Sequence, residues 1–291
     1  MRLRIRFSKL GKVRFVGHRD VARIIERSLR RCGVPVTYSE GFSPRVRLSF
    51  GLALPTCYES EAEFLDVSVD PEHIVDGNVT CIGWKQGESL SPEQLRATLN
   101  QALPAGFDVT ALAIEPKGGP SLQESVTSCT WRFDIRGANA GCVEEAIDAA
   151  LKSATIEAER TKKKEVLIEN IRDGVHELRI DGTSDIGPIV VAALSAKPRV
   201  IRPSELVGLL APGSELGIAR RTHQWIERDG ERHEPLLPTN SQKTKDHTQG
   251  STASPATDQQ SPTTQPLRGD EEQLVAMPQP KTTATQPKHL N

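Results

Sequence analysis

The sequence predicts an α+β protein made of two tandem β-α-β-β-α-β modules followed by a disordered tail. Three observations carry this. Segments with strand and helix periodicity follow that order across residues 1–115. A comparable series recurs across 125–237, resting on element order because residue identity between the two is slight. From Pro238 to Asn291 the chain turns to Thr, Gln, Ser, Pro and Lys with almost no aliphatic residues, too little apolar surface to offset the entropy of ordering. Residues 116–124, rich in Pro and Gly, read as a linker, and 291 residues suit about two domains.

The elements of the first module begin with a strand over 3–8, hairpinned with a strand-like run over 12–16. A helix over 18–32 follows, because Val21, Ile24, Ile25, Leu29 and Cys32 share one arc at 100° per residue. Strands are expected at 34–39 and 46–54, with 62–69 continuing the sheet. A second helix over 91–103 opens on Ser91-Pro92-Glu93-Gln94, which offers an N-cap serine, a first-position proline and a glutamine three residues on. A strand over 107–114 closes the module. In the second, strands are expected at 130–136, 154–160, 177–180, 189–195 and 217–227. Helices are expected over 141–152 and from Arg202-Pro203-Ser204-Glu205 to Leu210. Each series matches the ferredoxin-like plan, in which two helices cover one face of an antiparallel sheet.

Charge is segregated along the chain. Residues 1–50 hold thirteen Lys or Arg against three acids, whereas 51–120 hold three against eleven. On the first helix Arg19, Arg23, Arg27, Arg30 and Arg31 lie opposite the apolar arc. A charged face can be a solvated surface and nothing more. The exclusive use of arginine argues for more, since its planar fork pairs bidentately with phosphate and stacks on bases. Nucleic-acid contacts are therefore expected at Arg19, Arg23, Arg27 and Arg30, and at Arg45 and Arg47 in the loop Tyr38 to Arg47. Phe42, after Gly41, either stacks a single-stranded base or anchors that loop in the core. Lys162 and Lys163 offer a second phosphate contact or a solvated turn.

No nucleophile, metal or cluster motif stands out, and neither cofactor nor metal is expected. The five cysteines, Cys32, Cys57, Cys81, Cys129 and Cys142, are scattered without a C-x-x-C pair, so neither a zinc site nor a disulfide framework is indicated. The candidates for catalysis are His18 and Tyr38, which with Arg45 could serve as acid, base and charge stabiliser in metal-free RNA cleavage. His18 can equally cap its helix. No run of eighteen apolar residues and no signal peptide is present, and a soluble cytoplasmic protein is expected.

The run Lys12-Val13-Arg14-Phe15-Val16-Gly17-His18-Arg19-Asp20, the arginine helix, and Tyr38-Ser39-Glu40-Gly41-Phe42-Ser43-Pro44 with Leu48-Ser49-Phe50 and Leu54-Pro55 closely resemble the uncharacterised radical-SAM-associated proteins. Thr161 to Val166 and Ile201 to Leu206 extend the resemblance more weakly, to about residues 2–226. It implies a partner, because that family's domain often forms the C-terminal part of a radical S-adenosylmethionine (SAM) protein or is encoded beside one. Two departures matter. The family's Asn-Pro-His-Pro-Lys loop is Ser43-Pro44-Arg45-Val46-Arg47 here, without the histidine, and the cluster triplet C-x-x-x-C-x-x-C is missing. The expected function is an RNA-binding accessory protein that presents structured RNA, transfer or ribosomal, to a radical SAM enzyme. A metal-independent ribonuclease and a protein-interaction module that docks the radical SAM partner without nucleic acid are the alternatives.

Overall fold

The computed structural model describes residues 1–162 and 165–237, so the tail expected over 238–291 lies outside the described residues. The described chain is a mixed α+β protein with one large mixed sheet and few helices. Its first half runs β1 (Arg2–Lys9), α1 (His18–Arg31), β2 (Leu48–Phe50), β3 (Glu59–Ser68), β4 (Ile74–Val75), β5 (Asn78–Thr80), β6 (Ser89–Leu90), α2 (Pro92–Ala102) and β7 (Phe107–Glu115). The second runs α3 (Leu122–Ser125), β8 (Val126–Arg136), α4 (Ala140–Lys152), β9 (Glu157–Lys162), β10 (Glu165–Asn170), β11 (Val175–Thr183), β12 (Pro188–Ser195), α5 (Pro203–Leu210), β13 (Glu215–Arg228) and β14 (Glu231–His233).

The large sheet has the order β11-β12-β8-β13-β3-β1-β7, with β14 on β13 and β2 on β3. Within β2-β3-β1-β7 every pairing is antiparallel, as it is within β11-β12-β8-β13. The two runs join where β13 pairs in parallel with Glu59 and Ser60 at the start of β3. β2 takes the far end of the same edge, at Leu65 to Val67. One long strand thus serves both halves. Two small sheets, β4-β5-β6 and β9-β10, lie apart from this one.

Each half has its own core. In the first, Leu3, Ile5 and Phe7 alternate along β1 toward Val21, Ile25 and Leu29 of α1 and Leu95 and Leu99 of α2. In the second, Trp131, Phe133 and Ile135 of β8 meet Val143 and Ile147 of α4 and Leu206, Val207 and Leu210 of α5. Side chains of this kind contribute roughly 1.5–3 kcal/mol each on full burial. The cap read at Ser91 is formed: Ser91 and Gln94 exchange bonds at the start of α2. The chain turns out of α1 after the C-cap Cys32, at Gly33, whose φ of 71° suits glycine, and a Cβ there would stand 2.7 Å from the Ile82 carbonyl oxygen.

Two expected strands are absent. Residues 12–16 belong to a 3-10 turn, Gly11–Phe15, tied down by the Gly11 N–H donating to Glu59 Oε1 at 2.9 Å. Residues 34–39 touch the sheet only through single bridges, Val36 to Val69 and Tyr38 to Val46. Pro35 supplies no N–H for a ladder there. The strand expected over 46–54 is cut to Leu48–Phe50. The segment read as a linker ends in α3, capped reciprocally by Ser121 and Glu124, and Leu122 packs with Ala62, Phe64 and Leu236.

The face of β1 turned away from α1 is charged yet buried. Arg4 donates twice to Asp66, at 2.8 and 2.9 Å, Arg2 bonds Glu115 at 3.0 Å, and Arg6 pairs with Glu234 at 3.2 Å. At the joint between the halves Arg220 grips Glu59 and Glu61, while buried Arg221 donates to Glu63 at 2.6 Å and to the Leu52 carbonyl at 2.7 Å. Burial opposes the charge on Arg221 most strongly, but Glu63 and Cys129 together outweigh it and its pKa stands raised.

Candidate functional site

The sequence candidates meet along α1. Val21, Ile25 and Leu29 pull one face of the helix into the core, so Arg19, Arg23 and Arg27, spaced four apart, project along the other. Val46 N-terminal to β2 is buried, and Leu48 and Phe50 are partly buried. The chain after the Tyr38 to Arg47 loop therefore runs beside α1. The result is an open groove of about 520 Å³ with Arg19, Ala22, Arg23 and Glu26 on the helix side and Arg45, Val46, Leu48 and Phe50 on the strand side. His18 closes one end, its ring edge-on to Phe50 at 4.7 Å between centroids and 69°.

Ion pairing divides these arginines. Arg19, Arg27 and Arg45 have no acidic partner among the described residues. Arg23 bonds Asp20 at 3.0 Å, Arg30 bonds Glu26, and Arg47 stands 4.0 Å from Glu40. Pairs this exposed are worth little, so their guanidiniums stay available to an anion. By contrast Arg2, Arg4, Arg6 and Arg14 are held by acids within the fold. The excess of positive charge in residues 1–50 is therefore partly structural, because Asp66, Glu115 and Glu234 fold onto β1 and Glu59 onto the turn after it.

Tyr38 lies elsewhere. Its ring sits under the Arg30 guanidinium, 5.7 Å from the centroid, and Arg30 itself stands twelve residues along α1 from His18, about 18 Å at the helical rise. The structure does not bring His18 and Tyr38 together. Nor does His18 cap its helix: Gly17 is the N-cap, and no side chain bonds there. Phe42 is not an anchor, since it stands wholly in solvent beside Gly41, whose φ is 120°. Lys162 ends β9. Its side chain, and Lys163 altogether, lie outside the described residues.

Sequence reasoning missed the apolar floor of the groove, Ala22, Leu48 and Phe50. The alternation Val46, Leu48, Phe50 was the available signal. It also missed what lies behind His18, a cavity of about 20 Å³ lined by Lys9, Glu63, Phe7, Val21, Leu54 and Phe50. Lys9 is almost fully buried and donates to the Arg14 carbonyl at 3.1 Å, and burial pushes its pKa down against the pull of Glu63. Among the described residues no group of three or more His, Cys, Asp or Glu could hold a metal ion. No described helix is long and apolar enough to cross a membrane.

Fold and site together define an α+β protein with a cationic groove floored by apolar side chains. The chain belongs to DUF2344, a family of uncharacterised proteins conserved in bacteria, whose profile matches residues 2–203. No curated protein matches it. Among solved structures, a chain of "Crystal Structure of a Cbf5-Nop10-Gar1 Complex" superimposes with a TM-score of 0.38 at 10% identity, over 76% of this chain and 48% of that one. The present chain thus spans about half the length of that chain, and a likeness this loose bears on neither fold nor function.

Proposed function

We propose that this protein is an RNA-binding accessory protein that presents structured RNA, such as transfer or ribosomal RNA, to a radical SAM partner. One observation carries the RNA reading: Arg19 and Arg23 from α1 and Arg45 from a separate loop converge on one groove, and Arg19 and Arg45 are without an acidic partner among the described residues. Guanidiniums converging from two segments suit a phosphate chain passing between them. Phe42, fully exposed in the loop that also carries Arg45, suits stacking of an unpaired base. The radical SAM partner rests on the resemblance of the N-terminal motif. We further read each half as a ferredoxin-like module, because in β2-β3-β1-β7 and in β11-β12-β8-β13 the first strand of the half lies between the third and the last. The ribonuclease alternative loses support from the separation of His18 and Tyr38.

The test is binding of labelled transfer RNA by the full chain and by Arg23→Glu/Arg27→Glu, followed by crosslinking in cells and sequencing of attached RNA. The double variant should keep the wild-type melting temperature and lose binding. A folded double variant that binds as well as the wild type would refute the assignment of this face. An empty crosslinking library, with the radical SAM protein co-purifying, would make docking of that protein the function instead.

A further inference from the structure

The groove beside α1 differs in chemistry between floor and rim. Its floor is apolar, built from Ala22 of α1 and Leu48 and Phe50 of β2, with the Phe50 ring braced by His18. Its rim carries Arg19 and Arg23 on one side, with Glu26 neutralised by Arg30, and Arg45 on the other. A phosphate chain alone is anionic and hydrated along its whole length, and it draws nothing from an apolar floor. A ligand that does match carries a flat, weakly hydrated ring a few bonds from a phosphate, which is the construction of a nucleotide. The groove's volume of about 520 Å³ falls within the range of small-ligand sites, about 300–1,000 Å³. A base inside a duplex is stacked on both faces and cannot reach a floor set below charged walls, whereas a loop or bulge nucleotide can turn out and do so.

We propose that this groove holds one unpaired nucleotide of the bound RNA, the base lying on Leu48 and Phe50 and the flanking phosphates on Arg19, Arg23 and Arg45. The proposal rests on the RNA-binding reading and narrows it, making the recognised feature an everted base on a structured RNA.

The full chain is titrated with two fluorescein-labelled RNAs of equal nucleotide count, a hairpin with an unpaired loop and a blunt duplex, at one salt concentration. The hairpin should bind about fivefold more tightly, the lower end of what one stacked base contributes. With Phe42→Ala in both chains, so that the exposed ring of the loop stacks nothing, Ala22→Phe, which fills the floor while keeping the arginines, should bring that ratio close to one. Adenosine monophosphate should displace the hairpin at concentrations where inorganic phosphate does not, a measurement on the wild type that decides the matter alone should Ala22→Phe fail to fold. A ratio near one in the wild type, a ratio that survives in folded Ala22→Phe, or equal displacement by phosphate overturns the nucleotide site and leaves RNA binding standing. Failure to bind either RNA overturns both.

Discussion

Replacing Arg221 with methionine tests whether the charges at the joint between the halves are held as a set. Arg221 is 1% exposed, donates to Glu63 and to the Leu52 carbonyl, and lies 5.5 Å from the centroid of Trp131. Methionine retains much of the packing against Trp131 but removes the counter-charge, leaving Glu63, itself 8% exposed, without its closest partner. Removing one member of a buried pair costs about 3–5 kcal/mol, because the other charge stays desolvated. The Lys9 ammonium on the far side of the small cavity compensates in part, which sets the expectation near about 3 kcal/mol. At about 2–4 °C per kcal/mol for a chain of this size, the melting temperature should fall by about 6–12 °C. Thermal and urea unfolding followed by circular dichroism measure this. Glu63→Leu/Arg221→Met removes both charges and should recover part of the loss, since a buried pair replaced by apolar groups is often close to neutral while the buried Lys9 ammonium loses the pull of Glu63. A single variant within about 1 kcal/mol of the wild type, or a double variant as unstable as the single, would refute the reasoning.

If Arg19, Arg23, Arg27 and Arg45 each hold a phosphate of an unpaired strand, the logarithmic salt slope of RNA binding should be about -3, a loss of about fiftyfold between about 50 and about 200 mM salt. A slope shallower than about -1 in a fluorescence titration would remove at least three of those contacts. Truncation after Leu237 should leave the melting temperature unchanged, whereas truncation after Pro235 should lower it, because Leu236 packs with Ala62, Phe64 and Leu122. Equal melting of the two would show that this contact contributes nothing. Of the five thiols, exposed Cys57 and Cys142 should react with a colorimetric disulfide in the native state, and buried Cys32, Cys81 and Cys129 only after unfolding. Burial pushes Cys32 from its ordinary 9.0 to about 11, so the fold keeps a proton that the unfolded chain releases. That stability is complete below about pH 9 and lost as pH rises toward 11, which unfolding measured across this window would register.

What the sequence determined by itself is local. The apolar arc of α1 follows from a 3.6-residue period, the start of α2 from a serine, a proline and a glutamine in register, and the inward face of β1 from alternation. Each of these depends on residues within a few positions of one another. The opposite arginine face of α1 was legible for the same reason. What the tertiary structure decided depends on partners far along the chain. Arg4 and Asp66 are 62 residues apart and Arg2 and Glu115 are 113, and only the antiparallel registers of β1 with β3 and β7 bring them together. Composition therefore counted as surface charge what pairing within the sheet had already neutralised. The 3-10 turn at Gly11–Phe15 depends on Glu59 in the same way. Joining the two halves into one sheet required β3 to be long enough to take β2 at one end and β13 at the other, a property of pairing register that periodicity cannot report. The groove arises from that arrangement too, because its walls come from a helix and a strand with a loop between them, and only the burial of Val46 beside α1 turns two amphipathic segments into one site.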